Sequence, residues 1–314
     1  MPGQTITGKA FEYACLKTFC EKLTHEGKQY CVINNDPLQT AKNAYDALQD
    51  LVREKYDLAA STAVKLVFPL EPRILYGSDT ISLSLNSDAH GVAGDVRDLL
   101  CIRSTDQWEI GFSCKHNHEA LKHPRITESC DFGSDWVGYR CSQEFLSSMR
   151  ALTSQLDGSR KWREIPSKQD RFYVPILNLY CEEIQRLCNQ YEDVPEKLLG
   201  YFFGTNDFYK IISQESVRQT KIEGFNIYGT MNRSIRDKRP IYRVPRLRLP
   251  TRLLEVQLKP NSKTTIEVYF DMGWTVKMRL HNKDEVARAT GLAWDVQLAG
   301  MPPELYQQQR SWDE

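Results

Sequence analysis

Apolar residues recur with helical spacing along the first part of the chain. Over Gly8–Leu23, Phe11, Ala14, Cys15, Phe19 and Leu23 share one face. Ala41, Ala44, Tyr45, Leu48, Leu51 and Val52 draw a second stripe, which predicts one helix over Leu38–Tyr56, continuing through Ala59–Phe68 until Pro69. The period then falls to two: Ile81, Leu83 and Leu85 alternate with polar residues, as in a strand buried on one face. Asp88–Gly94 reads as a loop, Asp95–Ile102 as a strand and Trp108–Lys115 as its return, joined by the polar turn Ser104–Gln107. Ser142–Leu156 and Arg171–Asn189 are amphipathic, and Asp157-Gly158-Ser159 with Pro166 forms the clearest linker between them. Beyond Lys221 the pattern is of strands: Ile222–Tyr228, Leu253–Leu258, Thr265–Phe270 and Thr275–Leu280. This order predicts a mixed α/β (α+β) fold with a strand-rich C-terminal part, divided into a core over 1–158 and a second part over 159–314.

Composition narrows the class. The 314 residues carry 41 Lys+Arg against 41 Asp+Glu, and 41% are hydrophobic, which excludes a disordered or low-complexity chain. No apolar run is long enough for a membrane span. The start, Met1-Pro2-Gly3-Gln4-Thr5, has no charged region followed by an apolar one, so no signal peptide is expected and the chain is expected to be cytoplasmic. Nine cysteines, an odd number without a CxxC, are expected to be buried thiols. Net neutrality counts against a uniformly basic nucleic-acid binder, but it is an average over unlike parts.

The densest polar cluster is the hairpin Gly94–Arg103 and Trp108–His118. With Ser104–Gln107 as its loop, Arg103 faces Trp108 and, counting outward, Asp98 faces Ser113. Lys115 lies two residues further along the same face, so a carboxylate and an ammonium group converge at one end of the hairpin. Phosphodiester hydrolysis needs such a pair. A carboxylate can hold Mg²⁺, and a lysine can position or deprotonate the attacking water and offset charge on phosphorus. An Asp followed by acid-x-Lys across a hairpin is the pattern of PD-(D/E)xK nucleases. Here Ser113 stands where the second acid belongs, and Glu12 in the first helix is the candidate replacement. Glu109 is too distant to share a metal with Asp98, and Asp95 has the opposite parity. An Asp–Lys pair across a hairpin is also a common surface salt bridge, so spacing alone does not decide the matter.

The wider text does more. Gly94-Asp95-Val96-Arg97-Asp98, then Ser113-Cys114-Lys115-His116-Asn117-His118 and Lys122-His123-Pro124-Arg125, resembles the core block of the HaeIII-type type II restriction endonucleases. Asp131-Phe132-Gly133 with Trp136, Gly204–Lys210 and Phe225–Thr230 resemble further blocks in the same order. The resemblance implies a PD-(D/E)xK-like nuclease core, Mg²⁺-dependent cutting of both strands of double-stranded DNA and recognition of GGCC. A cognate DNA methyltransferase would then be a functional partner, and a palindromic target makes a homodimer natural. Asp98 and Glu12 become the expected metal ligands, with Ser113 and Lys115 completing the catalytic set.

Two further clusters bear on DNA. His116, Asn117, His118, Lys122, His123 and Arg125 follow the catalytic strand and are expected to line a phosphate path. The competing readings are a His-Asn-His nuclease, a zinc site made with Cys130 and Cys141, or an exposed polar turn. The stretch Arg233–Lys259 holds nine positive residues against Asp237 and Glu255, net +7. Arg233, Arg236, Arg239, Arg243, Arg246 and Arg248 suit phosphates and guanine edges, and Pro240, Pro245 and Pro250 predict an irregular backbone. The bland alternative is a solvated basic face. For the whole chain, the rivals to a restriction endonuclease are an inactive DNA-binding protein, an RNA-processing or repair nuclease, and a zinc-bearing interaction protein.

Overall fold

A computed structural model describes residues 4–87 and 94–313; most of the expected loop Asp88–Gly94 lies outside them. The chain forms two compact units, and both are discontinuous in sequence. The first comprises 1–119, 205–247 and 304–314, and the second 120–204 and 248–303. Residue 158, the expected boundary, therefore falls inside the second unit.

In the first unit, helix α1 (Gln4–His25) is followed by β1 (Tyr30–Val32), α2 (Asp36–Asp46) and α3 (Asp50–Val67). Strands β2 (Ile81–Leu85), β3 (Leu99–Arg103) and β4 (Trp108–His116) come next. The helix expected over Leu38–Tyr56 is broken at Ala47–Gln49. Asn35 caps α2, accepting a hydrogen bond from the Leu38 N–H, and Gln49 is extended ahead of α3. Periodicity missed the break because Leu48 stays buried at the bend, whereas Leu51 turns outward.

The sheet of this unit has seven strands, in the order β1-β2-β3-β4-β7-β8-β14, where β7 is Phe208–Gln214, β8 is Gln219–Phe225 and β14 is Tyr306–Ser311. The β1–β2 and β4–β7 pairs are parallel and the others antiparallel. One face carries the core. Phe11 and Phe19 of α1 meet Tyr56 and Phe112, with ring centroids 5.9 and 5.0 Å apart, and Ile110, Tyr209, Ile211 and Ile222 complete it. These large side chains drive the packing of α1 onto the sheet.

The second unit holds a five-stranded antiparallel sheet, β5-β13-β11-β10-β9. Its strands are β5 (Ala120–Lys122), β9 (Leu253–Leu258), β10 (Thr265–Phe270), β11 (Thr275–Asn282) and β13 (Leu292–Gly300). Helices α4 (Phe132–Val137), α5 (Gln143–Thr153), α6 (Val174–Gln190) and α7 (Val194–Phe203) belong to it. The buried ring of Tyr180 stacks on Phe132 and meets Trp294 at a tilt, with centroids 4.6 and 4.7 Å apart. The expected linker at Asp157 is instead strand β6 (Asp157–Lys161), paired with β12 (Val286–Arg288). A polar, glycine-containing strand looks like a linker until its distant partner is known. The architecture is the expected mixture of helices and strands. Among the described residues no helix is long and apolar enough to cross a membrane.

Candidate active site

The hairpin has the expected register, from Arg103 opposite Trp108 to Leu99 opposite Phe112. Asp98 lies just ahead of β3, and its backbone is held from both sides. Its N–H donates to Phe112 O (2.8 Å), and its carbonyl accepts from Asn86 N–H (2.9 Å). Its carboxylate Oδ2 accepts from the Cys114 N–H at 2.7 Å, with Ser113 Oγ and Lys115 Nζ each 3.3 Å away. Carboxylate, hydroxyl and ammonium therefore meet at one oxygen.

The neighbouring acids have other partners. Asp95 holds the Arg97 guanidinium through two bonds of 2.7 and 2.8 Å, and Glu109 takes its third at 2.7 Å. Arg97 lies across Gly111, where a Cβ would come within 2.1 Å of Arg97 Cδ. The missing side chain at 111 thus makes room for the clamp.

Glu12 of α1 is buried, with Lys9 Nζ 3.1 Å from its Oε2. Burial, and then the charge of Asp98, push its carboxyl up to about 8, against the opposing pull of Lys9 and Lys115. Burial alone would lower Lys115, but Asp98 and Glu12 outweigh it and hold the ammonium above the usual lysine range. Two mutually repelling carboxylates, with Lys9 beside Glu12 and Lys115 beside Asp98, set hard oxygen donors close together. Hard oxygen donors in that state suit Mg²⁺, which takes one or two carboxylates and completes its shell with water and phosphate. They do not suit zinc. Among the described residues no group of three or more His, Cys, Asp or Glu converges as metal ligands do. Cys130 and Cys141 are engaged elsewhere, Cys130 Sγ with Thr127 O at 3.5 Å and Cys141 Sγ with Gly133 N–H at 3.2 Å. All nine cysteines are free thiols.

A second set of charged groups went unnoticed in the sequence. Ser113 pairs with Lys210 of β7, and Lys210 with Glu223 of β8, so the three share one sheet face. Lys210 is buried and donates to the Glu119 carbonyl, with Glu223 Oε2 3.9 Å away. Burial pushes its ammonium down to about 8. Lys221 joins the group, 2.7 Å from Glu223 and 3.7 Å from Glu119. The available signal was a lysine inside the largely apolar run Phe208–Ile212 and a glutamate between Ile222 and Phe225, and it became informative only once β7 lay beside β4.

The expected phosphate-path residues are dispersed. His116 packs on Tyr56, ring centroids 4.4 Å apart, its side chain buried and Nε2 3.5 Å from Glu215. Asn117 has φ 58° and its Oδ1 accepts from the Glu215 N–H, a turn-forming role. His118 is half-buried. In the second unit, Lys122 lies 3.6 Å from the Tyr201 ring centroid, and burial pushes its ammonium down to about 8. His123 Nδ1 is 3.8 Å from Asp295, and Arg125 is exposed, 3.9 Å from Asp284.

Up to Arg252 the basic stretch has the irregular backbone its prolines predicted, with an isolated bridge between Ile235 and Lys238, and it then enters β9. Arg233, Arg236, Arg239, Arg243 and Arg246 belong to the first unit and are exposed, and Arg248 is exposed in the second. None of the six forms an ion pair among the described residues, although Arg233 and Arg246 also bond the carbonyls of Gly229 and Ile227. Buried Met231, Val244 and Leu247 fix the first-unit part of this loop. Asn232 ties it down. Its Nδ2 donates to Leu70 O and Tyr242 O, its Oδ1 accepts from Val244 N–H, each at 2.9 Å, and its N–H donates to Glu71. Asp207 caps the preceding turn, taking the N–H groups of Ile227, Tyr228 and Thr230.

The family model of the HaeIII restriction endonuclease matches residues 8–302. The type II restriction enzyme HaeIII of Haemophilus aegyptius is 33% identical over 312 residues, 98% of each chain. No solved structure matches. A match of this extent takes in both units, the Asp98–Lys115 hairpin and the arginine loop together. The chain belongs to the HaeIII restriction endonuclease family, and so to the type II endodeoxyribonucleases.

Proposed function

We propose that this endonuclease hydrolyses both strands of double-stranded DNA at GGCC, in a Mg²⁺-dependent reaction that leaves 5′-phosphate ends. The observation that carries the catalytic part is the meeting of Asp98, Ser113 and Lys115 at one carboxylate oxygen, with the buried Glu12 close enough to feel Asp98. The site GGCC comes from the family resemblance.

Asp98 and Glu12 would hold the metal. When bound, Mg²⁺ polarises the scissile phosphate and makes bound water more acidic. Asp98 presents a fixed oxygen because the Cys114 N–H and the backbone bonds at Phe112 and Asn86 prevent it from turning. Lys115 remains protonated beside the two acids, so it orients the attacking water and offsets charge on phosphorus rather than acting as a free base. Ser113 donates its hydroxyl proton toward Asp98 and leaves Glu12 to supply the second charge. The exposed arginines of the 233–248 loop would hold phosphates and read guanines. PD-(D/E)xK-like chemistry is thus assigned to the first unit.

Plasmid digestion with Mg²⁺, followed by sequencing of the ends, tests the reading. Discrete fragments ending within GGCC are expected. Random nicks would favour a repair nuclease, and tight binding without cutting the inactive reading.

A further inference from the structure

Among the described residues most exposed large apolar side chains are isolated from one another in sequence, which is ordinary. Ile241 and Tyr242 differ. They are adjacent, 70% and 50% exposed, and they sit in the arginine loop between Arg239 and Arg243. Their backbone is rigidly held although their side chains are not covered. The Ile241 N–H donates to Pro69 O at 2.8 Å, and the Tyr242 carbonyl accepts from Asn232 Nδ2 at 2.9 Å. Two residues on, Val244 is buried in the core and its N–H is bonded to Asn232 Oδ1. Pro240, just before the pair, limits the backbone further. Large apolar side chains on a mobile tip would tend to fold back onto the protein; these are presented on a fixed platform.

The surroundings select the partner. Arg236, Lys238, Arg239, Arg243 and Arg246 are exposed around the pair, with Asp237 the one acid between residues 233 and 247. The arginines among them form no ion pair with the described residues. A second copy of this loop, equally cationic, would be repelled, whereas a polyanion would be drawn in. Apolar side chains flanked by phosphate-binding cations are the equipment of proteins that part base pairs and bend the duplex.

We infer that Ile241, backed by Tyr242, enters the duplex as a wedge at one base step while the flanking arginines hold the phosphates on either side. This rests on the reading of the loop as the DNA-binding element. The wedge gives the enzyme a second means of selecting its site, because the cost of unstacking depends on the step being opened. Ile241 is a positioning and specificity residue, separate from the Asp98–Lys115 centre.

The test uses the full-length enzyme on duplexes containing GGCC, with Ca²⁺ replacing Mg²⁺ so that binding is read without cutting, and with cutting read separately in Mg²⁺. Fluorescent base analogues are placed in turn at each step across and beside the site. The wild type and Ile241→Leu should raise the fluorescence at one step, and Ile241→Ala should not. Ile241→Ala should also bind about tenfold more weakly. The slope of affinity against salt should be unchanged, since no phosphate contact is removed. Specific binding and cutting by the wild type without a fluorescence change at any step would overturn the wedge alone. Failure of the wild type to bind any duplex would overturn the wedge and the nuclease reading together. A changed oligomeric state in Ile241→Ala, with the fluorescence signal intact, would assign the pair to a protein interface and also overturn it.

Discussion

At the scale of residues, the site is a balance of two acids, Asp98 and Glu12, against two lysines, Lys9 and Lys115, and that balance sets its response to substitution and to pH. Asp98→Ala removes the oxygen on which Ser113 and Lys115 converge, and Lys115→Ala removes the cation. Each should lower single-turnover cleavage by about 10²–10³-fold or more while sparing specific binding in Ca²⁺. Retained cutting by either variant would contradict the assignment. Glu12 takes up its proton at about 8 in the folded protein, against 4.5 when unperturbed. The folded state therefore holds the extra proton between those values. The resulting stabilisation is complete below about 4.5 and is lost as pH rises through 8. In urea titrations of metal-free protein, Glu12→Gln should remove this part of the decline, a difference on the order of a few kcal/mol between pH 5 and pH 9. Divalent cations should also displace that proton. Calorimetry at pH 7 in buffers of different ionisation enthalpy should register a release approaching one proton per site, and Glu12→Gln should abolish it.

At the scale of elements, a few backbone devices place the chemistry. Gly111 lets Arg97 pass across β4 and hold Asp95 and Glu109 together, which keeps both acids away from Asp98. Gly111→Ala would force that arginine aside. It should cost about 1–3 kcal/mol of stability, measured as a shift in the urea midpoint, and reduce cleavage although it touches no catalytic group. Asn232 plays the corresponding part for the arginine loop. Asn232→Ala loses three side-chain hydrogen bonds and leaves buried partners unpaired. It should weaken DNA binding in a gel-shift titration far more than it slows cleavage of saturating DNA.

At the scale of the whole molecule, a neutral chain concentrates its cations. Arg233–Lys259 is net +7, so acidic residues elsewhere must offset it. Affinity for DNA should fall steeply with salt, and the double substitution Arg239→Ala, Arg243→Ala should make the slope shallower by about two in log–log form. A smaller change would place those arginines away from phosphates.

Residue order was sufficient for much of this. The helical stripe of α1, the hairpin and its register were legible because their signals are local: a period, a turn length and a parity count. The family blocks were legible because they are contiguous runs. What depends on distant segments was not. His116 read as a phosphate contact, yet it packs at a tilt against Tyr56 and Phe11, contributed by helices far upstream. Asp157–Lys161 read as a linker because its partner β12 lies more than a hundred residues away. The row from Ser113 to Lys210 and Glu223 exists only because β7 returns, some ninety residues later, to pair with β4. Glu12 is legible in the sequence only as an acid in the first helix, because its raised pKa needs the helix to be packed on the sheet and the Asp98 charge to lie nearby. The physical reason is common to all four. Periodicity and turns are short-range properties carried by neighbours in sequence, whereas burial and charge coupling belong to neighbours in space, which the sequence does not specify until the chain has folded.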